Sequence, residues 1–345
     1  MTVPATMHAL LQKGDGYSGK QTGISIDTLE PYLEYAEIPV PELKDGQVLV
    51  RMAMANINPS DLHFIKGEYG QPRQKGKPAG FEGVGEVVAG SGAYAEKLIG
   101  QRVAFTATPD GSGTWADYAV TAAKTCIPVK HGMLDEDAAG HIVNPLTAMA
   151  MFDLVRKANT ESFVLTAGAS QLCKLIIALA KDEGYRPIVV VRRNEMTEPL
   201  KALGAAYVLD ENDADVVEQF KQISRSEKPR IMLDAVSNQL SSDIFFAMPN
   251  RANWVIYGKL DSSPITAREL GQFVFMDKVI SGFWLTKWFN ETSPDEQKRV
   301  IGEVQDRFIS RKWTTDVSAV IPLAEVMEKL PATLAKRAGK VLLTP

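Results

Sequence analysis

Between Ser162 and Arg193 lie residues whose order suits the binding of a phosphorylated ligand. An apolar run, Ser162-Phe163-Val164-Leu165-Thr166-Ala167, meets the small residues Gly168-Ala169-Ser170. An apolar helical segment follows through Lys181, then a second apolar run from Pro187 that ends on Arg192 and Arg193. Two buried strands around a helix make a βαβ unit. A turn of small residues lets backbone N–H groups and a helix N-terminus face a pyrophosphate. An NAD site usually has an acidic residue at the end of the second strand, for the ribose 2′-hydroxyl. Two guanidinium groups there suit a 2′-phosphate instead, so the expected ligand is NADPH. Of the three-glycine pattern only Gly168 is present, and Cys173 stands where a third glycine would pack helix against strand. An ordinary parallel-sheet turn followed by solvated arginines is the competing reading.

The elements around this stretch place it in an α/β chain. Up to about residue 130, short strands alternate with Gly and Pro: Val48–Met54, Gly83–Gly90, Gln101–Phe105 and Trp115–Val120. Strands so dense in turn residues predict a compact, partly closed β domain. From Asp135-Glu136-Asp137, acids suited to a helix N-terminus, the texture changes. A helix is expected over about 146–157. Strands are expected at 207–210, 230–236, 253–258 and 278–283, with helical patterns near 195–204, 213–225, 238–247 and 266–276. Such alternation predicts a doubly wound parallel sheet, closed by a helix over about 293–310. The tail offers a strand over 317–321, a helix over 323–337 and a strand at 340–343. One strand–helix–strand is too small to stand alone, so it is expected to return to the β domain, with a ligand cleft between the domains.

Composition narrows the function classes. The chain has 345 residues, enough for two domains, with 45% hydrophobic and 23% charged residues. Its net charge of −4 gives no reason to expect nucleic-acid binding. No apolar run approaches a membrane span, and the N-terminal residues show no basic n-region, so cytoplasm is the expected compartment. Two cysteines, Cys126 and Cys173, and four scattered histidines form no metal-ligand cluster.

Several motifs carry a resemblance that covers nearly the whole chain. Asn58-Pro59-Ser60-Asp61-Leu62, Gly80-Phe81-Glu82-Gly83-Val84-Gly85, Gly113-Thr114-Trp115, Asn144-Pro145-Leu146-Thr147-Ala148 and Leu203-Gly204-Ala205 resemble the medium-chain dehydrogenase/reductase superfamily. Gly67-Glu68-Tyr69, Val143-Asn144-Pro145 and Gly282-Phe283-Trp284-Leu285-Thr286-Lys287-Trp288 are similar to the NADPH-dependent trans-2-enoyl thioester reductases; zinc-free quinone oxidoreductases share less. The resemblance implies a GroES-like catalytic domain over 1–145 and 311–345 and a Rossmann NADPH-binding domain over 146–310. Homodimers paired through the nucleotide-binding domain are also implied. Zinc alcohol dehydrogenases have Cys, His and Cys where this chain has Asn58, Phe81 and Asn144, so no metal is expected.

The resemblance also distributes roles. Tyr69 matches the tyrosine near the reacting double bond; its phenol could protonate Cα or donate to an enolate oxygen, or the residue only packs. Asn58, as a catalytic candidate, and Asn144 would line the nicotinamide pocket, unless they are turn or cap residues. Ser170 and Gln171 could bond pyrophosphate oxygens, and Arg192 and Arg193 the 2′-phosphate. Thr147, Tyr257 and Gly258 would approach the nicotinamide. Phe283, Trp284 and Leu285 match the strand end lying against it, with plain core aromatics as the alternative. Lys340 matches a lysine near the cofactor. Arg73, Lys75 and Lys77 could receive thioester phosphates, a solvated loop being the stronger reading; Glu68 and Asp61 read as structural. The expected activity is zinc-independent hydride transfer from NADPH to an electron-poor C=C bond. NADPH:quinone reduction and a non-catalytic NADPH sensor are the alternatives.

Overall fold

The computed structural model describes residues 3–336 and 338–345. The chain forms two compact units. One runs to Val143 and resumes at Gln305; the other is Asn144–Val304.

In the first unit, β1 (Thr6–Gln12) and β2 (Leu33–Pro39) pair antiparallel. Then come β3 (Gln47–Asn56), α1 (Pro59–Ile65), β4 (Glu82–Gly90), α2 (Ala93–Glu96), β5 (Arg102–Thr106), β6 (Tyr118–Ala122), β7 (Ile127–Pro128) and α3 (Asp135–Ala139). β3 is the hub, pairing antiparallel with β4 along its length and with β6 over Gln47–Arg51. Helix α1 starts where Pro59 presets φ, and the Asp61 carboxylate reaches back to the Asn58 amide at 2.8 Å. Trp115 and Phe105 are fully buried with Val48, Val50 and Leu62. A side chain at Gly80 (φ +95°) would put its Cβ 2.3 Å from Trp115 Cδ1, so the tryptophan requires glycine there.

The second unit begins within α4 (Val143–Lys157), whose first residue closes the first unit. It contains β8 (Ser162–Leu165), α5 (Gln171–Glu183), β9 (Arg186–Val191), α6 (Thr197–Leu203), β10 (Tyr207–Asp210), α7 (Val216–Glu227), β11 (Ile231–Asp234), α8 (Gln239–Ala247), β12 (Asn253–Ile256), α9 (Gly271–Phe275), β13 (Val279–Gly282) and α10 (Leu285–Glu291), and α11 (Pro294–Ile309) runs from it into the first unit. The strands form one parallel sheet, order β10-β9-β8-β11-β12-β13. The order reverses beside β8, which puts a topological switch point at the small-residue turn. Fully buried Phe220, Phe245 and Trp254 pack together on Met232 and Ile188; truncating such an aromatic costs about 3–5 kcal/mol.

The tail rejoins the first unit through β14 (Val317–Pro322), α12 (Val326–Lys336) and β15 (Lys340–Thr344). β15 pairs parallel with β14 and antiparallel with β3, Leu342 opposite Asn56, as the tail pattern predicts.

Several boundaries differ from the sequence expectation, four of them for reasons visible in the chain. Strand β6 starts at Tyr118, because Trp115 is already tied through its amide to Ala79. The helix expected over 266–276 shrinks to Gly271–Phe275, since Gln239 and Ser242 bond the backbone of Thr266. The strand end expected through Leu285 stops at Gly282, and Leu285 opens a helix instead. The helix over 323–337 is a short 3-10 turn followed by α12, and Arg337 lies outside the described residues.

Candidate active site

Within the second unit, the dinucleotide candidates gather at the carboxyl end of the sheet. The Gly168 amide bonds Val190 O at 2.9 Å, and a Cβ there would sit 1.9 Å from Val189 Cγ1. This close approach of turn to strand explains the single glycine. Ser170 caps α5, its hydroxyl accepting from the Cys173 amide at 3.3 Å; Gln171 is the first residue of the helix. The other orphan amides of such a first turn are the groups that take an anion. Arg192 and Arg193 lie exposed just past the end of β9 rather than in the strand. Arg193 pairs loosely with Glu195 at 3.7 Å. Burial pushes the Glu211 carboxyl above its usual range, and the Arg192 charge opposes that shift.

The turn rests on a buried carboxylate that the sequence analysis passed over. Asp234, at the end of β11, accepts from Thr166 Oγ1, from Trp254 Nε1 at 2.8 Å, from the Val236 amide at 2.9 Å and from Ser241 Oγ at 3.2 Å. One side chain thereby ties the ends of β8, β11 and β12 to α8. Its sequence signal was an acid closing an apolar strand, a poor place for a charge without partners.

The remaining candidates of this unit divide. Thr147 is buried and Asn144 half-buried in the first turn of α4. The Tyr257 hydroxyl lies 3.6 Å from Cys173 Sγ, and burial first, then that thiol, push its pKa well up. Its phenol is thus engaged beneath the turn, while Gly258 O accepts from Ser237 Oγ. The Phe283 amide extends the β12 ladder to Ile256 O. Trp284, 43% exposed, precedes α10, which Leu285 begins.

Within the first unit, Asn58 and Lys340 come together although 282 residues separate them. Lys340 Nζ donates to Asn58 Oδ1 at 2.6 Å and to Ile57 O at 3.1 Å. Asn58 Nδ2 donates to Glu82 Oε1 at 2.6 Å, and Asn56 Nδ2 to the same oxygen at 2.7 Å. The other oxygen, Glu82 Oε2, takes the amides of Val143 and Ile142 at 2.8 and 3.2 Å. All of these side chains are buried, so each charge has the partners that burial demands. Asp61 completes the cluster, with Oδ2 on the Asn58 amide and Oδ1 on the Phe81 amide, both at 2.8 Å.

Tyr69 sits in the loop after α1, its ring 5.2 Å from that of Phe81. The loop is pinned on both sides. Ser18 N bonds Gly67 O at 2.9 Å, and the Glu68 carboxylate accepts from Thr22 N and Oγ1 at 2.9 and 2.6 Å. Burial raises the Glu68 pKa, but the Thr22 bonds and Lys66 outweigh it and hold the carboxyl below its usual range. Glu68 is structural, as its sequence context suggests. Arg73 and Lys77 do not offer themselves to phosphates: Arg73 donates to the carbonyls of Gly16, Asp15 and Ile65, and Lys77 to those of Pro109 and Gly111. Lys75 is exposed.

The fold and these clusters define a class: a GroES-like domain joined to a nucleotide-binding parallel sheet. The family model for the alcohol dehydrogenase GroES-like domain matches residues 44–131, and that for zinc-binding dehydrogenases matches 172–302. The chain is 32% identical over 307 residues to the mitochondrial enoyl-[acyl-carrier-protein] reductase of Bos taurus, covering 87% of this chain and 81% of that one. A solved candidate NADPH:quinone reductase from Mesorhizobium loti is 51% identical with a TM-score of 0.96, each chain covered completely. A second such structure, from Bacillus thuringiensis, is 25% identical with a TM-score of 0.85, covering 99% of this chain and 100% of that one. The chain belongs to the medium-chain dehydrogenase/reductase superfamily and is a reductase. Among the described residues, no group of three or more His, Cys, Asp or Glu side chains is arranged to hold a metal ion.

Proposed function

We propose that the protein is a metal-independent NADPH-dependent reductase of an activated C=C bond in a 2-enoyl thioester or a related α,β-unsaturated carbonyl. The observation that carries this reading is the pinned loop that presents Tyr69, its ring tilted against that of Phe81, whose amide shares the Asp61 carboxylate with the amide of Asn58. The similarity to an enoyl-[acyl-carrier-protein] reductase supports it. For NADPH, the α5 N-terminus suits the pyrophosphate and the exposed Arg192 and Arg193 suit a 2′-phosphate. Bound NADPH would supply a hydride from C4 of its nicotinamide to Cβ of the acceptor. The Tyr69 hydroxyl gives its proton to Cα as the carbanion develops there and is reprotonated from solvent. Metal independence rests on the Asn58 amide: both its ends are already bonded, and the Lys340 ammonium lies 2.6 Å from its oxygen, where a metal ion would be repelled.

NADPH:quinone reduction is a second reading, favoured by the 51% identity to the Mesorhizobium loti protein. Steady-state assays with crotonyl-CoA, small enones and 1,4-benzoquinones separate the two. We expect turnover of crotonyl-CoA that falls by about 10²-fold or more in Tyr69→Phe, the scale of a lost acid catalyst. Turnover of quinones alone, indifferent to that substitution, would favour the second reading.

A further inference from the structure

We propose that Asp61 is a positioning residue of the reductase, its carboxylate fixing Asn58 by one oxygen and, through Phe81, the ring of Tyr69 by the other. This deepens the proposed function and rests on it. The geometry is specific. Asp61 is fully buried, and it spends both oxygens on backbone amides from two elements: Asn58 at the head of α1 and Phe81 just before β4, each at 2.8 Å. A helix cap would need only the first of these bonds. The second fixes Phe81, whose ring touches both Tyr69 at 5.2 Å and Phe64 at 4.8 Å. The backbone that carries the amide network of Asn58 and the ring that supports the proton donor are therefore referenced to one carboxylate.

A two-amide clamp works only while both oxygens accept, that is, while Asp61 is ionised. Its surroundings make that conditional. Burial pushes its pKa up, the Asn58 amide pulls it down, Glu82 of β4 raises it, and the Phe81 amide and Lys340 of β15 lower it, leaving it at about 7. Positioning should therefore tighten as pH rises through about 7.

The test has two arms, of which the first needs no turnover. The amide protons of Asn58 and Phe81, followed by NMR in the full chain, should titrate together near pH 7 and lose that titration in Asp61→Asn. Amides that titrate independently of each other, or unchanged in the variant, overturn the proposal. In the second arm, kcat in Asp61→Asn should fall by about tenfold or more, as for a lost hydrogen bond to a charged group. NADPH affinity should hold within about twofold, and the limb of the kcat profile near pH 7 should vanish. Wild-type kcat, or a loss matched in NADPH affinity with the limb kept, overturns it. Should Asp61→Asn not fold, Phe81→Leu keeps the carboxylate and removes only the ring contact; it should lower kcat with NADPH affinity intact, and wild-type kcat there counts against the proposal. If the wild-type protein reduces no acceptor, the proposed function fails, and the amide titration still decides the place of Asp61.

Discussion

His141 shows at the level of one side chain how burial acts. It lies just before α4 with no exposure, and neither ring nitrogen has a hydrogen-bond partner among the described residues. Burial pulls its pKa from 6.5 down to about 4. The sign follows from proton binding: between those values the unfolded chain takes a proton that the folded chain refuses, so stability falls as pH drops from 6.5 to 4. The full loss is about 3 kcal/mol, present below about pH 4 and absent above 6.5. His141→Leu should remove it. Urea unfolding at pH 7.5 and 4.5 gives the comparison, and a variant that loses as much stability as the wild type contradicts the prediction. The sequence identified Asn58, Tyr69 and Lys340 as candidates, yet not that Asn58 and Lys340 touch. Strand pairing of β15 with β3 makes that contact, and periodicity carries no information on pairs 282 residues apart. Asp61 was read only as structural and Glu82 only as part of a motif, because a carboxylate reveals its role through burial and partners.

Among the elements, the β8–α5–β9 unit was the most legible, since two apolar runs and an amphipathic helix repeat their own signals. The turn was harder. One glycine suffices because only Gly168 lies against Val189, while Cys173 fits under the helix with its thiol on Thr166 O at 3.3 Å. Leu285 opens α10 where the resemblance implied a strand end over 283–285, because an aromatic run does not reveal where pairing with β12 stops. The two arginines past β9 make the cofactor reading testable. Arg192→Ala with Arg193→Ala should weaken NADPH by on the order of 2 kcal/mol or more and scarcely affect NADH, because only charge-assisted bonds to the 2′-phosphate are lost. Titration calorimetry with both nucleotides decides it; equal weakening would refute the assignment.

For the molecule as a whole, β13 is the open edge of the parallel sheet, and apolar side chains crowd it. Val279 and Ile280 are exposed, as are Val274 and Phe275 just before it, Phe275 at 86%. An unpaired edge beside such a patch is a template for a second chain, which fits the homodimer implied by the superfamily resemblance. If two copies pair along this edge, Ile280→Glu should lower the sedimentation coefficient at micromolar concentration; a variant that sediments like the wild type argues against that contact. The two-unit organisation was legible because the β-rich and alternating textures differ. The return of the tail was inferred only from its being too short to fold alone. That return has a consequence for how the protein is made. Residues 144–304 are contiguous and can complete their sheet during synthesis, whereas β3 waits for β15, so Ala55 and Asn56 gain their last neighbours only after Leu342 and Leu343 leave the ribosome. The half of the protein that is translated first is thus among the last parts to finish folding, and until then the end of β3 lacks the neighbour that completes its sheet.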